Sequence, residues 1–142
     1  MNYVFDDGGR AAAGYKGAAG DCVTRAVAIA TGEPYQAVYD ALNSLSKLER
    51  RTRKSSARNG VQRPTFHKYL LARGWRWTPT MAIGQGCKVH LRPEELPTGR
   101  LIVSVSRHLV ALIDGVIHDT SDPSRDGNRC VYGYFEAPKC QA

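Results

Sequence analysis

No apolar run in these 142 residues approaches the length that spans a bilayer, which excludes a transmembrane helix and gives no reason to expect membrane partners. The opening MNYVFDDGGRAAAGYKG lacks the charged-then-apolar order of a secretory signal. A reducing cytoplasm is therefore the expected compartment, and the four cysteines are expected as thiols. No internal repeat appears. Cys87 and His90 have a C-x-x-H spacing, but a second close pair is missing because Cys130 and Cys140 stand too far apart. No zinc site, other metal or cofactor is expected, and Cys140 reads as a mobile thiol near the end of the chain.

What is present is the composition of a globular protein, 42% hydrophobic and 23% charged, in a length that suits one domain over residues 1–142. The net charge of +7 is concentrated. Between Lys47 and Arg63 stand Lys47, Arg50, Arg51, Arg53, Lys54, Arg58 and Arg63 against Glu49 alone. The Ser, Arg, Asn and Gly content of 47–63 reads as an exposed basic loop. Three roles suit it: a solvated loop, a nucleic-acid contact through phosphates, or a site that steers an acidic protein substrate. No aromatic residue lies within it, so it encodes no stacking platform for single-stranded nucleic acid.

Residues 1–20, rich in Gly and Ala, read as an arm or loop. Asp21 suits an N-cap for a helix from Cys22 to Thr31 that stops at Gly32, with Val23, Ala26, Val27 and Ala30 on its apolar face. A second helix begins at GEPYQAVYDAL with Pro34 in its first turn, and Tyr35, Val38, Tyr39, Leu42 and Leu45 make its stripe. A third covers RPTFHKYLLARG and ends at Gly74; Phe66, Tyr69, Trp75 and Trp77 suit the core. WRWTP, GRLIVSVS, HLVALI, GVIHDT and CVYGYF then read as strands. Helices first and strands afterwards predict an α+β fold, with N-terminal helices packed on a C-terminal antiparallel sheet.

Asp114-Gly115 is a strong two-residue hairpin signal. With those residues as the loop, Ile113 faces Val116, Leu112 faces Ile117, Ala111 faces His118 and Val110 faces Asp119. His108 and Asp119 then share a face as diagonal neighbours, about 7–8 Å apart at the backbone, while His118 points the other way. A cysteine at a helix start, a histidine and a carboxylate that orients it supply the three roles of nucleophilic catalysis. Each has a plain structural role when taken singly: a buried thiol at Cys22, a histidine opening a strand at His108, a strand-end carboxylate at Asp119. Together they favour a site. The neighbouring Asp21 works against a thiolate at Cys22 unless it is turned away.

This order, a cysteine opening the first helix and then a histidine and Asp on antiparallel strands, resembles the papain-like cysteine peptidase superfamily. The blocks GDCVTRAVAIATG, SRHLVALIDGVIHDTSDPS and CVYGYF are also similar to short proteins carried by bacteria and their phages. The resemblance implies a papain-like domain and a thiol-dependent hydrolase that cleaves a peptide, isopeptide or other amide bond through an acyl-enzyme. Cys22 would be the nucleophile, His108 the base and acid, and Asp119 the orienting group. Many of these enzymes carry a Gln about six residues before the cysteine to hold the oxyanion, and Lys16 stands there. The resemblance therefore shifts the oxyanion role to Lys16, to the Cys22 backbone N–H, or to the loop from Gly17 to Gly20, as in ovarian-tumour-type deubiquitinases. The rival expectations are an inactive papain-like binding module and a nucleic-acid-binding protein that uses Arg50, Arg51, Arg53, Lys54 and Arg58.

Overall fold

The computed structural model describes residues 2–16, 20–48, 56–57, 60–82 and 84–138. Helix α1 spans Cys22–Thr31, α2 Tyr35–Leu48 and α3 Arg63–Ala72. Strands are β1 Tyr3–Phe5, β2 Arg76–Pro79, β3 Arg100–Val105, β4 His108–Ile113, β5 Val116–Asp119 and β6 Val131–Glu136. They form one six-stranded sheet in the order β1-β5-β4-β3-β6-β2, and the fold is α+β.

The small and apolar residues of α1 repeat at helical spacing, so one side of the helix can lie flat on the sheet. Val23, Ala26, Val27, Ala28 and Ala30 are all buried there. Gly32 ends the helix in the left-handed region at φ 76°, where its N–H bonds the Ala28 carbonyl at 2.9 Å. Tyr35, Val38 and Leu42 of α2 and Phe66, Tyr69 and Leu70 of α3 are buried as well. With Trp75, Ile102, Leu109, Ala111 and Phe135 they make the core on the helical side, and Trp77 packs against it. Alternate residues of the same strands, Leu101, Val103, Val110, Leu112 and Ile117, face a second core closed by Leu91 and Leu96. Each fully buried Leu, Ile or Val in these layers contributes about 1.5–3 kcal/mol. The two cores hold β4 on both faces, which fixes where its first residue, His108, can sit.

The β4–β5 hairpin has the register read from its turn: Ala111 pairs with His118, Leu112 with Ile117 and Ile113 with Val116. Asp114 (φ 48°) and Gly115 (φ 79°) both occupy the positive-φ region that such a turn demands.

Two expectations need correction. The sheet is not wholly antiparallel, because Tyr3–Phe5, expected in a loop or arm, forms β1 and runs parallel to β5. A three-residue exposed strand buries no apolar face, so no period in the sequence announces it. The second concerns the thiols. Cys87 and Cys130 are joined as a disulfide, with Cα atoms 5.8 Å apart, and Cys22 is the free cysteine among the described residues. The bond is possible because residues 87–91 run beside the start of β6, where the Val131 N–H meets the Val89 carbonyl at 2.8 Å. Among the described residues no helix is long and apolar enough to cross a membrane. Arg50, Arg51, Arg53, Lys54, Arg58 and Cys140 lie outside the described residues.

Candidate active site

Cys22 is the first residue of α1, His108 the first of β4 and Asp119 the last of β5. Three element ends meet where β4 begins and β5 ends, so each side chain is held by regular structure. His108 Nε2 lies 2.6 Å from Asp119 Oδ2. Asp119 is buried, and its Oδ1 accepts the Thr120 N–H at 2.7 Å and stands 3.5 Å from Arg25 Nη2. Every donor around this carboxylate therefore favours its charged form. With Nε2 committed to Asp119, Nδ1 is the imidazole nitrogen left for the thiol, and Cys22 and His108 share a hydrogen bond.

The electrostatics follow from these contacts. Burial works against charge at all three groups. At His108 the hydrogen bonds to Asp119 and Cys22 outweigh that burial and lift the imidazole to about 9. At Cys22 the hydrogen bond and charge of His108, the Leu109 backbone N–H and the charge of Arg25 bring the thiol below its ordinary value. At Asp119 the hydrogen bond and charge of His108 lower the carboxyl. A lowered thiol beside a raised imidazole favours the thiolate–imidazolium pairing over two neutral groups.

Asp21 occupies the residue before α1, yet its side chain makes no cap. This corrects the expected N-cap. The carboxylate is buried and turned inward: Oδ2 accepts the Tyr35 hydroxyl at 2.6 Å and lies 3.2 Å from Arg10 Nε, while Oδ1 meets Arg25 Nη1. Two arginines offset the charge of Asp21, so it does not oppose a thiolate one residue away. Arg25 joins Asp21 to Asp119, and the chain of contacts runs Arg10–Asp21–Arg25–Asp119–His108–Cys22. Sequence reasoning missed Arg10, Arg25 and Tyr35. The available signal was the Asp21–Arg25 spacing of four on a helix otherwise built of small and apolar residues.

The cleft beside Cys22 encloses about 620 Å³. Gly20, Val61, Phe66, Leu109 and Tyr132 line it along with Cys22 and His108. Lys16, by contrast, is exposed and outside this lining, and its carbonyl accepts from Arg10 Nη2 at 3.2 Å. Of the two oxyanion candidates the structure therefore brings Gly20 to the cleft and not Lys16. The first N–H groups of α1 have no intrahelical acceptor, so the Cys22 N–H is a donor at the reacting end. His118 lies apart from the triad, with Nδ1 3.4 Å from Asp6 Oδ2. His90 bonds Glu95 at 3.3 Å, while Cys87 pairs with Cys130 instead of joining His90. Among the described residues no group of three metal-ligating side chains occurs.

Compared with family models, curated proteins and solved structures, the chain has no match.

Proposed function

We propose that this protein is a thiol-dependent hydrolase of papain-like arrangement that cleaves a peptide, isopeptide or other amide bond. The observation that carries the reading is His108 held by Asp119 at 2.6 Å through Nε2 while it shares a hydrogen bond with the Cys22 thiol at the start of α1. A structural cysteine has no need of an imidazole whose far nitrogen is fixed by a buried carboxylate. The ion pair supplies the nucleophile and a proton in the same place.

In this reading the Cys22 thiolate adds to the carbonyl carbon, and the carbonyl π pair moves onto oxygen. The Cys22 N–H and the backbone near Gly20 receive that oxyanion. Collapse reforms the carbonyl and breaks the C–N bond, and the His108 imidazolium passes its Nδ1 proton to the departing amine. A water molecule then attacks the thioester, giving a proton to His108 as it does so. The second collapse releases a carboxylic acid and returns the thiolate beside the imidazolium. Asp119 stays ionised throughout and holds the ring. The nucleophile needs Cys22 reduced, as it is here while Cys87 and Cys130 are joined.

Digestion of a proteome-derived peptide mixture, read by mass spectrometry for new termini, tests the proposal. Wild-type protein should generate termini that Cys22→Ala does not, and an acyl adduct should appear on Cys22 at short times. If both proteins give the same termini, and iodoacetamide alkylates Cys22 no faster than an ordinary exposed thiol, the proposal is wrong.

A further inference from the structure

Beside the Cys22 cleft lies a second hollow of about 600 Å³, and His108 and Arg107 line both. The two hollows differ in chemistry. The first combines apolar walls from Val61, Phe66 and Leu109 with Arg25 and Arg63, and Asp21 and Asp119 already pair with Arg25, whereas Ser106, Ser121, Asp122, Arg125 and Arg129 line the second with Arg107 and His108. Three guanidinium groups thus surround a space with a single carboxylate, that of Asp122, whose Oδ1 is already taken by the Ser124 N–H at 2.9 Å.

Four arginines elsewhere in the described chain have a carboxylate partner. Arg10 and Arg25 pair with Asp21, Arg76 with Glu136 and Arg92 with Glu95. Arg107 and Arg125 are exposed and have no carboxylate partner among the described residues. Both stand at positive φ, 56° and 52°, in the turns that form the rim. Non-glycine residues rarely hold that conformation. Arg129 braces the wall from behind: Nη2 bonds the Ser106 carbonyl, Nη1 reaches the Pro123 carbonyl at 3.4 Å, and its buried Nε has no partner. The charge of Arg125 presses on it, and together with burial lowers its proton affinity. Three guanidinium groups against one carboxylate around a concavity suit an anion placed between them.

We propose that this second hollow is a subsite for a substrate carboxylate, so that the amide cleaved at Cys22 stands beside an acidic residue or a free carboxyl terminus. The inference rests on the hydrolase reading of the triad and adds the substrate class. The carboxylate then lies in the hollow at Arg107 and Arg125 while the scissile amide lies in the Cys22 cleft, which gives the site a direction along the substrate.

Paired alkylation separates the two ideas. Iodoacetate and iodoacetamide present the same electrophile with and without a carboxylate, and the ratio of their rates at Cys22 reads the local cationic field. Changing both Arg107→Asn and Arg125→Asn removes two charges while keeping a residue that tolerates positive φ. The ratio should fall about fivefold at low salt, and the Lys versions of both positions should retain it. An unchanged ratio overturns the subsite. A wild-type iodoacetamide rate no faster than an ordinary thiol overturns the hydrolase reading, and the ratio still decides the subsite. Among peptide digestion products, cuts should cluster next to internal Asp or Glu, or next to the last residue if the carboxylate is terminal. Cuts without either preference count against the proposal.

Discussion

Replacing Asp119 by Asn changes one atom and should disable Cys22. The aspartate serves two sets of donors at once: Oδ2 faces His108 Nε2 at 2.6 Å, and Oδ1 takes the Thr120 N–H at 2.7 Å with Arg25 Nη2 at 3.5 Å. An amide has one oxygen. If it faces His108, the amide NH2 points at the Thr120 N–H and the Arg25 guanidinium, so donors meet donors. If it turns the other way, the NH2 points at Nε2, which must then give up its proton. The second orientation satisfies every group, so it should prevail, and it forbids the imidazolium. The thiol loses its cationic neighbour. At pH 6 an ordinary cysteine is only about 0.3% thiolate, whereas in the wild type the hydrogen bond and charge of His108, an imidazole raised to about 9, outweigh burial and hold the Cys22 thiol below its ordinary value. A stabilised thiolate is less nucleophilic, which takes back roughly one order of magnitude or a little more. The net expectation is an iodoacetamide rate about three- to tenfold lower for Asp119→Asn than for wild type at pH 6, with the gap closing as pH rises. Mass spectrometry of the Cys22 peptide after timed quenching measures both profiles. Superimposable profiles would falsify the tautomer argument.

Other expectations follow from the same coordinates. Gly133→Ala places a Cβ 2.3 Å from Trp77 Cη2 and 2.9 Å from the Thr78 carbonyl. It should cost about 1–3 kcal/mol in urea unfolding, part of which returns when Trp77 is shortened to Leu. Tyr35→Phe removes a buried 2.6 Å hydrogen bond to Asp21 and should cost about 1.5–3 kcal/mol, because the acceptor is charged; a loss under about 0.5 kcal/mol would show that the arginines alone satisfy Asp21. Asp119 and Asp7 both have lowered carboxyl values in the folded chain. Their contribution to stability is therefore full above the unfolded value of about 3.9 and is lost as pH falls through the folded values. Thermal melts from pH 6 to pH 2 should show that decline, and Asp119→Asn should flatten it. Opening the Cys87–Cys130 bond, which closes a separation of 43 residues, should cost up to about 4 kcal/mol, with Cys22 alkylation unaffected; a parallel loss of Cys22 reactivity would show that the bond shapes the site.

The triad was legible because its geometry depends on a turn. Asp114-Gly115 permits essentially one pairing of the flanking strands, and that pairing selects Asp119 and leaves His118 facing Asp6. The helix α1 was legible at both ends, since small apolar spacing and Gly32 mark it unambiguously. What escaped depends on partners far along the chain. Asp21 has the residue type and place of an N-cap, and only the folded chain brings Arg10 and Tyr35 close enough to draw it inward. The Cys87–Cys130 bond escaped for a similar reason, because spacing alone does not show two loops running side by side. Strand β1 is too short and too exposed to leave a pattern, although it is hydrogen-bonded to the strand that carries Asp119.

That strand also has a consequence for how the Asp119 carboxylate is braced. Tyr3–Phe5 pairs with Ile117–Asp119, and the Asp6 N–H closes on the Asp119 carbonyl at 2.9 Å. A segment distant in sequence thus ties down the backbone of the residue that holds His108. Without it the outer edge of β5 would stand unpaired, and the place of the carboxylate would rest on its contacts with Thr120, Arg25 and His108 alone.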